Sequence, residues 1–205
     1  MNTKRPSLLV SRRQALKGFL GVGMSLGGAI CQSQENLNRE NSHNPIIAEN
    51  QKEGTRDWML SKTGIDPKTR YRCPWIEGYC SQTRYRAGDT LRIHVSTRPA
   101  SDFTLDLYRL GFYGGAGGRH VGSWGPIKGN AQSDPIVEAK RRRDCQWEPS
   151  FEFPIPEDWL SGVYLGKLTS LREGYQSYVV FILRDDRQAD FMFQCSDHTW
   201  QAYNR

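Results

Sequence analysis

The feature that most constrains the fold of this chain is a series of short segments in which apolar and polar residues alternate. Alternation with a period of two indicates a β-strand with one buried face, and no window shows the sustained apolar stripe of a helix. The clearest such segments are residues 91–95, 103–107, 151–153, 163–168 and 177–183. The last of them is apolar on both faces, which predicts a central position in a sheet.

Strands at these intervals, separated by Gly, Pro, Asp and Ser, predict a mainly β fold, an immunoglobulin-like antiparallel β-sandwich over residues 56–188. Tyr164, which follows Ser161-Gly162-Val163, is similar to the tyrosine corner of such sandwiches. A sixth apolar strand is predicted at residues 190–194, followed by a polar and aromatic loop. We therefore expect residues 189–205 to begin an α/β domain whose remainder is missing, so that the sandwich ends at the first strand of that domain.

Residues 1–31 have the order of an export signal. Arg12 and Arg13 precede a weakly apolar run at residues 18–30, which resembles a twin-arginine signal. Those 13 residues are too few to cross a hydrocarbon core of about 30 Å comfortably, so we predict no transmembrane anchor. The protein is expected to be exported to the periplasm or cell envelope.

A spacer is predicted after the signal. Cleavage is expected between residues 29 and 33, and Ile30 before Cys31 argues against lipid attachment at that cysteine. Residues 32–55 are rich in Asn, Gln, Glu and Ser and lack apolar periodicity, which predicts disorder.

The net charge of +6 suggests nucleic-acid binding, but the positions of the basic residues along the chain argue against it. Residues 1–30 hold five of the 28 basic residues and no acid, which leaves 23 basic against 22 acidic residues in the rest. A nearly neutral body lacks the positive field that binding to phosphate backbones requires. We expect no nucleic-acid partner, and we interpret the basic run at residues 140–143 as a solvated loop or a salt-bridged face.

Four cysteines of the expected mature domain, Cys73, Cys80, Cys145 and Cys195, suggest two disulfides in an exported protein, with three pairings left open. Unpaired buried thiols and a zinc site that uses Cys195 and His198 are weaker alternatives. His94 and His120 are predicted to be surface residues, and the sequence identifies no catalytic residue. The glycines of residues 111–118 are read as a wide turn with positive φ angles.

Five motifs resemble one family when taken together in order and spacing. They are Trp75-Ile76-Glu77-Gly78-Tyr79, residues 108–115, residues 158–164, Gln176-Ser177-Tyr178 and residues 199–204. In this combination the chain, over roughly residues 56–205, resembles the N-terminal part of the C-terminal region of the N,N-dimethylformamidase large (beta) subunit-like family.

The resemblance implies an amide hydrolase with a sandwich followed by a larger α/β domain that holds a mononuclear iron through two tyrosines and a glutamate. An iron of this kind lowers the pKa of a bound water that attacks the amide carbonyl. Tyr203 is the candidate metal ligand that the resemblance offers here, with packing between domains as its other role. Glu77 belongs to the sandwich and is not assigned as a ligand. The resemblance also implies a small partner subunit or self-association, and we expect this fragment alone to carry neither iron nor activity.

The alternative function is a non-catalytic secreted sandwich that binds a glycan or a protein partner. Its binding surface would use aromatic side chains expected to be exposed, namely Trp75, Tyr79, Tyr113 and Trp124. Aromatic residues also pack in sandwich cores. Whether these four side chains are exposed or buried therefore distinguishes a binding surface from core packing.

Overall fold

The computed structural model describes residues 44–69, 72–137, 143–189, 191–196 and 199 of the chain. Among them, helix α1 spans Pro45–Asn50, and short 3-10 turns span Pro67–Thr69 and Tyr113–Gly115. The strands are β1 (Glu77–Cys80), β2 (Arg84–Tyr85), β3 (Thr90–Ser96), β4 (Phe103–Leu110), β5 (Gly118–Ile127), β6 (Ile136–Val137), β7 (Arg143–Asp144), β8 (Phe151–Pro154), β9 (Gly162–Ser170) and β10 (Gln176–Leu183).

Two sheets form the domain. One has the order β1-β3-β8 and the other the order β2-β10-β9-β4-β5, while β6 and β7 pair as a separate hairpin. The pairing is antiparallel except where β2 joins β10 in parallel. The prediction of a mainly β, sandwich-like fold is confirmed.

One apolar core lies between the two sheets. Both sheets contribute to it, with Leu91, Ile93 and Val95 from β3 and Val179 and Phe181 from β10. The alternation read from the sequence places these residues on the inner faces, as strand geometry requires. All five of the clearest predicted strands lie within β3, β4, β8, β9 and β10.

The tyrosine corner is present. The hydroxyl of Tyr164 donates to the backbone carbonyl of Leu160 at 2.8 Å, and the buried ring stacks on Trp159 at a centroid distance of 5.0 Å. Burial raises the pKa of Tyr164. The side chain therefore ties the segment before β9 to the core.

Replacing Tyr164 by Phe is expected to lower the free energy of unfolding by about 1 kcal/mol, because the ring stays packed while the Leu160 carbonyl loses its donor. Urea denaturation measures this loss. Tyr164→Ala removes the ring as well and is expected to cost about 3–5 kcal/mol, as other truncations of large buried side chains do. Equal losses in the two variants would show that the hydrogen bond, and not the packing, carries the whole effect.

The structure corrects two predictions at the ends of the domain. Residues 44–55 are not a disordered spacer, because Asn44 caps α1, Pro45 occupies its first turn and the helix packs on the sandwich through the buried Glu49. The strand predicted at residues 190–194 is absent over 191–194. A strand needs a neighbour to satisfy its backbone groups, and no described strand pairs with this segment.

No helix in the described part of the chain has the length and apolar character needed to span a bilayer.

Candidate functional site

Several residues singled out in the sequence lie outside the described part of the chain. These are Arg12, Arg13, Cys31, His198 and Tyr203. Of the basic run at 140–143, only Arg143 is described, where it begins β7. The export signal and the candidate metal ligand therefore remain predictions.

The two predicted disulfides are absent, since Cys73, Cys80 and Cys145 are free thiols and Cys195 has none of them as a disulfide partner. Cys80, on β1, packs against the apolar core instead of against a second sulfur. Burial raises the pKa of Cys80 to about 12 and also raises the pKa of Cys145. Both thiols therefore resist ionisation, and the weaker alternative of unpaired thiols describes Cys80 better.

Cys80 is expected to resist alkylation in the folded chain, because the thiolate is the reactive form and very little of it exists at pH 8 when the pKa is about 12. Iodoacetamide labelling followed by peptide mass spectrometry measures the rate at each cysteine. We expect Cys80 to react at least about 100-fold more slowly in buffer than in 8 M urea, since urea exposes the thiol and restores an ordinary pKa. Rapid labelling of Cys80 under native conditions would contradict its burial.

His94 is not the bare surface residue that the sequence predicted. Its ring stacks on Tyr79 at 4.7 Å, Nδ1 lies 2.7 Å from the Trp147 carbonyl oxygen, and Nε2 lies 2.8 Å from the Ser81 hydroxyl. Because a carbonyl only accepts, Nδ1 carries a proton. Nδ1 thus joins the segment around Trp147 to β3, while Nε2 joins β3 to Ser81, which directly follows β1.

His120 is exposed, as predicted, and lies at one end of a polar chain on the outer face of the five-stranded sheet. Its Nε2 is 2.8 Å from the Ser123 hydroxyl, which donates to Asp106 Oδ1 at 2.6 Å. In a nucleophilic triad the histidine stands between the serine and the acid. Here the serine stands in the middle and gives its proton to the acid, so the arrangement does not form a triad.

The glycine-rich turn has the positive φ angles that the sequence predicted. Gly114 has φ 64°, Gly115 has φ 91° and Gly117 has φ 87°. A Cβ at Gly114 or Gly115 would meet nothing within 4 Å, so backbone conformation and not space calls for glycine there. Tyr113 has φ 41°, which is rare for a residue with a side chain and marks backbone held in place by its surroundings.

A buried carboxylate holds Tyr113, and the sequence reasoning missed it. Glu49 on α1 is 2% exposed, and its Oε1 accepts from the Tyr113 hydroxyl at 2.9 Å and from Arg119 Nε at 2.6 Å. Its Oε2 lies 2.7 Å from Lys52 Nζ. Behind them, the buried Arg109 donates to the Tyr113 hydroxyl at 2.9 Å.

The charges of this cluster favour the ionised carboxylate. Burial alone raises the pKa of Glu49, but hydrogen bonds from Lys52, Arg119 and Tyr113 outweigh it and lower the pKa to about 2. Desolvation is the largest influence on Arg119 and lowers its pKa, but the hydrogen bonds and charges of Glu49 and Tyr113 together outweigh it, so that the pKa of Arg119 is raised. The Asn44-Pro45 pair, a cap followed by proline in the first turn, was the sequence signal that could have revealed the helix.

Apolar side chains are exposed after the sandwich. Phe191, Met192 and Phe193 are 93%, 91% and 84% exposed. Three consecutive, largely exposed large apolar residues are unusual on the surface of a soluble monomer. Exposed apolar patches of this kind are typical of interaction surfaces.

Together these observations define the chain as a β-sandwich domain with a buried cluster in which Glu49 binds Tyr113 and Arg119. Residues 104–205 match the family described as N,N-dimethylformamidase beta subunit-like, C-terminal, and over those residues the chain belongs to that family. The family is named after a subunit of an amidase, which gives the chain a hydrolase-related role. The match begins within β4 and includes the exposed run at 191–193. A search of curated proteins gave no match.

Proposed function

We propose that this chain is the N-terminal portion of an exported N,N-dimethylformamidase-like amide hydrolase, in which the sandwich is a scaffold and the chemistry belongs to a following α/β domain. The observation that carries the proposal is the family match over residues 104–205. It is supported by the exposed Phe191, Met192 and Phe193, which offer an apolar surface for such a domain.

The described residues do not fit the iron centre that the family resemblance implies. They contain no group of three or more His, Cys, Asp and Glu side chains that could hold a metal. Glu49 and Tyr113 are of the right donor types, but Lys52, Arg109 and Arg119 surround them with positive charge that would repel a cation. An iron site in this protein would therefore draw its ligands from elsewhere, and we retain Tyr203 as the candidate ligand.

The test of this proposal uses the native protein, tagged at its chromosomal gene and purified from the cells that make it. Dimethylamine release from N,N-dimethylformamide and from other small N-alkyl amides measures hydrolysis, and elemental analysis measures iron. We expect hydrolysis with about one iron per chain, and loss of both in Tyr203→Phe. Tyr175→Phe is the matched control, because Tyr175 stacks on Trp75 within the sandwich. Absence of hydrolysis with every amide would overturn the proposal.

Export through Arg12 and Arg13 is a separate part of the proposal. Replacing both by Lys keeps the positive charge but removes the twin arginines. We expect the wild-type chain in the periplasm or envelope, and the double variant in the cytoplasm with its signal uncleaved. Equal export of the two forms would contradict a twin-arginine route.

A small subunit or a second copy of the chain is the partner that the family resemblance suggests. Sedimentation of the native protein separates the two possibilities by mass. A monomer that co-purifies with no second chain would contradict both.

The structure gives no support to the glycan-binding alternative. Tyr113 is buried, and Trp75 stacks on Tyr175 at 4.4 Å. Tyr79 stacks on His94, and Trp124 packs against the core. The four side chains named for a binding surface are thus engaged within the domain.

A further inference from the structure

Residues 44–62, which we call the strap, cross the outer side of the five-stranded sheet. Near its start, Asn50 Oδ1 accepts from the Phe112 backbone N–H at 2.6 Å, and the Thr55 N–H donates to the Gly118 carbonyl at 2.8 Å. At its end, the Gln176 N–H donates to the Lys62 carbonyl at 2.8 Å. The strap therefore runs from the glycine-rich turn beside β5 to the first residue of β10.

Polar contacts also hold the middle of the strap. Trp58 Nε1 donates to the Ala116 carbonyl at 3.0 Å, and the Tyr178 hydroxyl donates to the Trp58 carbonyl at 2.6 Å. Lys167 on β9 donates to the Asp57 carbonyl. Each of these bonds joins the strap to a different part of the sandwich.

The strap contributes little apolar burial. None of its residues belongs to the hydrophobic core of the described domain, and Met59 is 45% exposed. Glu49 is the one strap residue that is buried. Segments with few buried apolar contacts open at lower free energy than the core of the same domain.

Glu49 is therefore the strongest single attachment of the strap. Its carboxylate meets Arg119, Tyr113 and Lys52, and two of these belong to the turn and to β5. Hydrogen bonds to an ionised group are about twice as strong as neutral ones. Removing the charge leaves buried donors unsatisfied, which penalises the closed arrangement further.

We propose that the strap is a conformational device, a lid that opens and closes as a unit while the sandwich stays folded, with Glu49 as its latch. Opening would uncover the part of the outer face of the sheet where Lys167 and Tyr178 donate to the Asp57 and Trp58 carbonyls. Beside these contacts, Lys167 Nζ lies 5.7 Å from the centre of the ring of Tyr108, which is 3% exposed.

Amide hydrogen exchange on the intact 205-residue chain tests this proposal. The Thr55 and Ser61 amides report on the strap, because each donates to the sandwich at 2.8 Å. The amides of β9 and β10 report on the core. We expect the strap amides of the wild type to exchange faster than the core amides, through openings that leave the core protected.

Glu49→Gln is expected to speed exchange at Thr55 and Ser61 by about 10- to 100-fold, since a charged hydrogen-bond acceptor is lost, while core amides change less than about twofold. Glu152→Gln is the matched control, because Glu152 pairs with Arg92 on the other sheet at 3.0 Å. If Glu49→Gln fails to fold, Lys52→Met removes an exposed partner of the latch and is expected to give a smaller change of the same kind.

Two results would overturn the proposal. Equal exchange of strap and core amides in the wild type would show a single cooperative unit. Equal acceleration of both sets in Glu49→Gln would show that Glu49 stabilises the whole domain and does not act as a latch.

Discussion

Phe181→Ala is expected to lower the free energy of unfolding by about 3–5 kcal/mol, as large a loss as we predict for Tyr164→Ala. Phe181 has no exposed surface, stacks on Tyr164 at 5.3 Å and meets Tyr85 edge to face at 5.6 Å. Its removal leaves a cavity beside the rings of Tyr85 and Tyr164, which lie on the neighbouring strands β2 and β9 of the same sheet. The penalty therefore combines lost transfer energy with lost ring contacts.

Urea denaturation of the 205-residue chain measures the loss, with Phe112→Ala as the control. Phe112 is 71% exposed, so its truncation is expected to change stability by less than about 0.5 kcal/mol. If Phe181→Ala does not fold, Phe181→Leu keeps most of the volume and is expected to give a smaller loss. Similar losses at positions 112 and 181 would contradict the core that we describe.

Acid is expected to open the strap as the pH falls from about 4.5 toward 2. The pKa of Glu49 is about 2 in the folded chain and 4.5 in an unperturbed glutamate. A carboxyl whose pKa is lowered by folding contributes stability above the unfolded value and loses it as the pH falls through the folded value. The groups that face Glu49 are Lys52, Tyr113 and Arg119, with Arg109 behind them.

The indole N–H signals in nuclear magnetic resonance spectra measure this opening. Trp58 donates to the Ala116 carbonyl and reports on the strap, while Trp147 donates to the Ser133 carbonyl at 2.7 Å and serves as an internal control. We expect the Trp58 signal to move between pH 4.5 and 2 and the Trp147 signal to stay. In Glu49→Gln the movement should vanish. Titration of Trp58 in that variant as in the wild type would assign the change to another acid.

The strands could be predicted because each carries its own evidence. Alternation over residues 91–95 and 163–168 indicates which face of each strand is buried. The positive φ angles of Gly114 and Gly117 were predictable because a run of glycines favours a turn over a strand or a helix. The hydroxyl contact of Tyr164 follows from its place at the start of β9.

The strap and the sulfur chemistry could not be predicted in the same way. Helix α1 has six residues, too few to show a period, and its stability comes from a tertiary contact of Glu49. A disulfide requires two Cβ atoms at a suitable distance, and the number of cysteines in a sequence does not determine that distance. The two disulfides predicted from four cysteines are therefore absent from the structure. The apolar run at 191–193 reads as a strand, but strand formation depends on a neighbour that the described residues do not supply.

The central claim is that the sandwich is a scaffold and that amide hydrolysis depends on the α/β domain that we propose to follow it. The most direct measurement is the iron content and the dimethylamine release of the purified 205-residue chain, supplied with ferrous iron and N,N-dimethylformamide. We expect less than about 0.1 iron per chain and no release above the rate of the buffer, because the family resemblance places the iron centre in the α/β domain and the described residues gather no metal-binding group of His, Cys, Asp and Glu. One tightly held iron per chain together with amide hydrolysis would contradict the account.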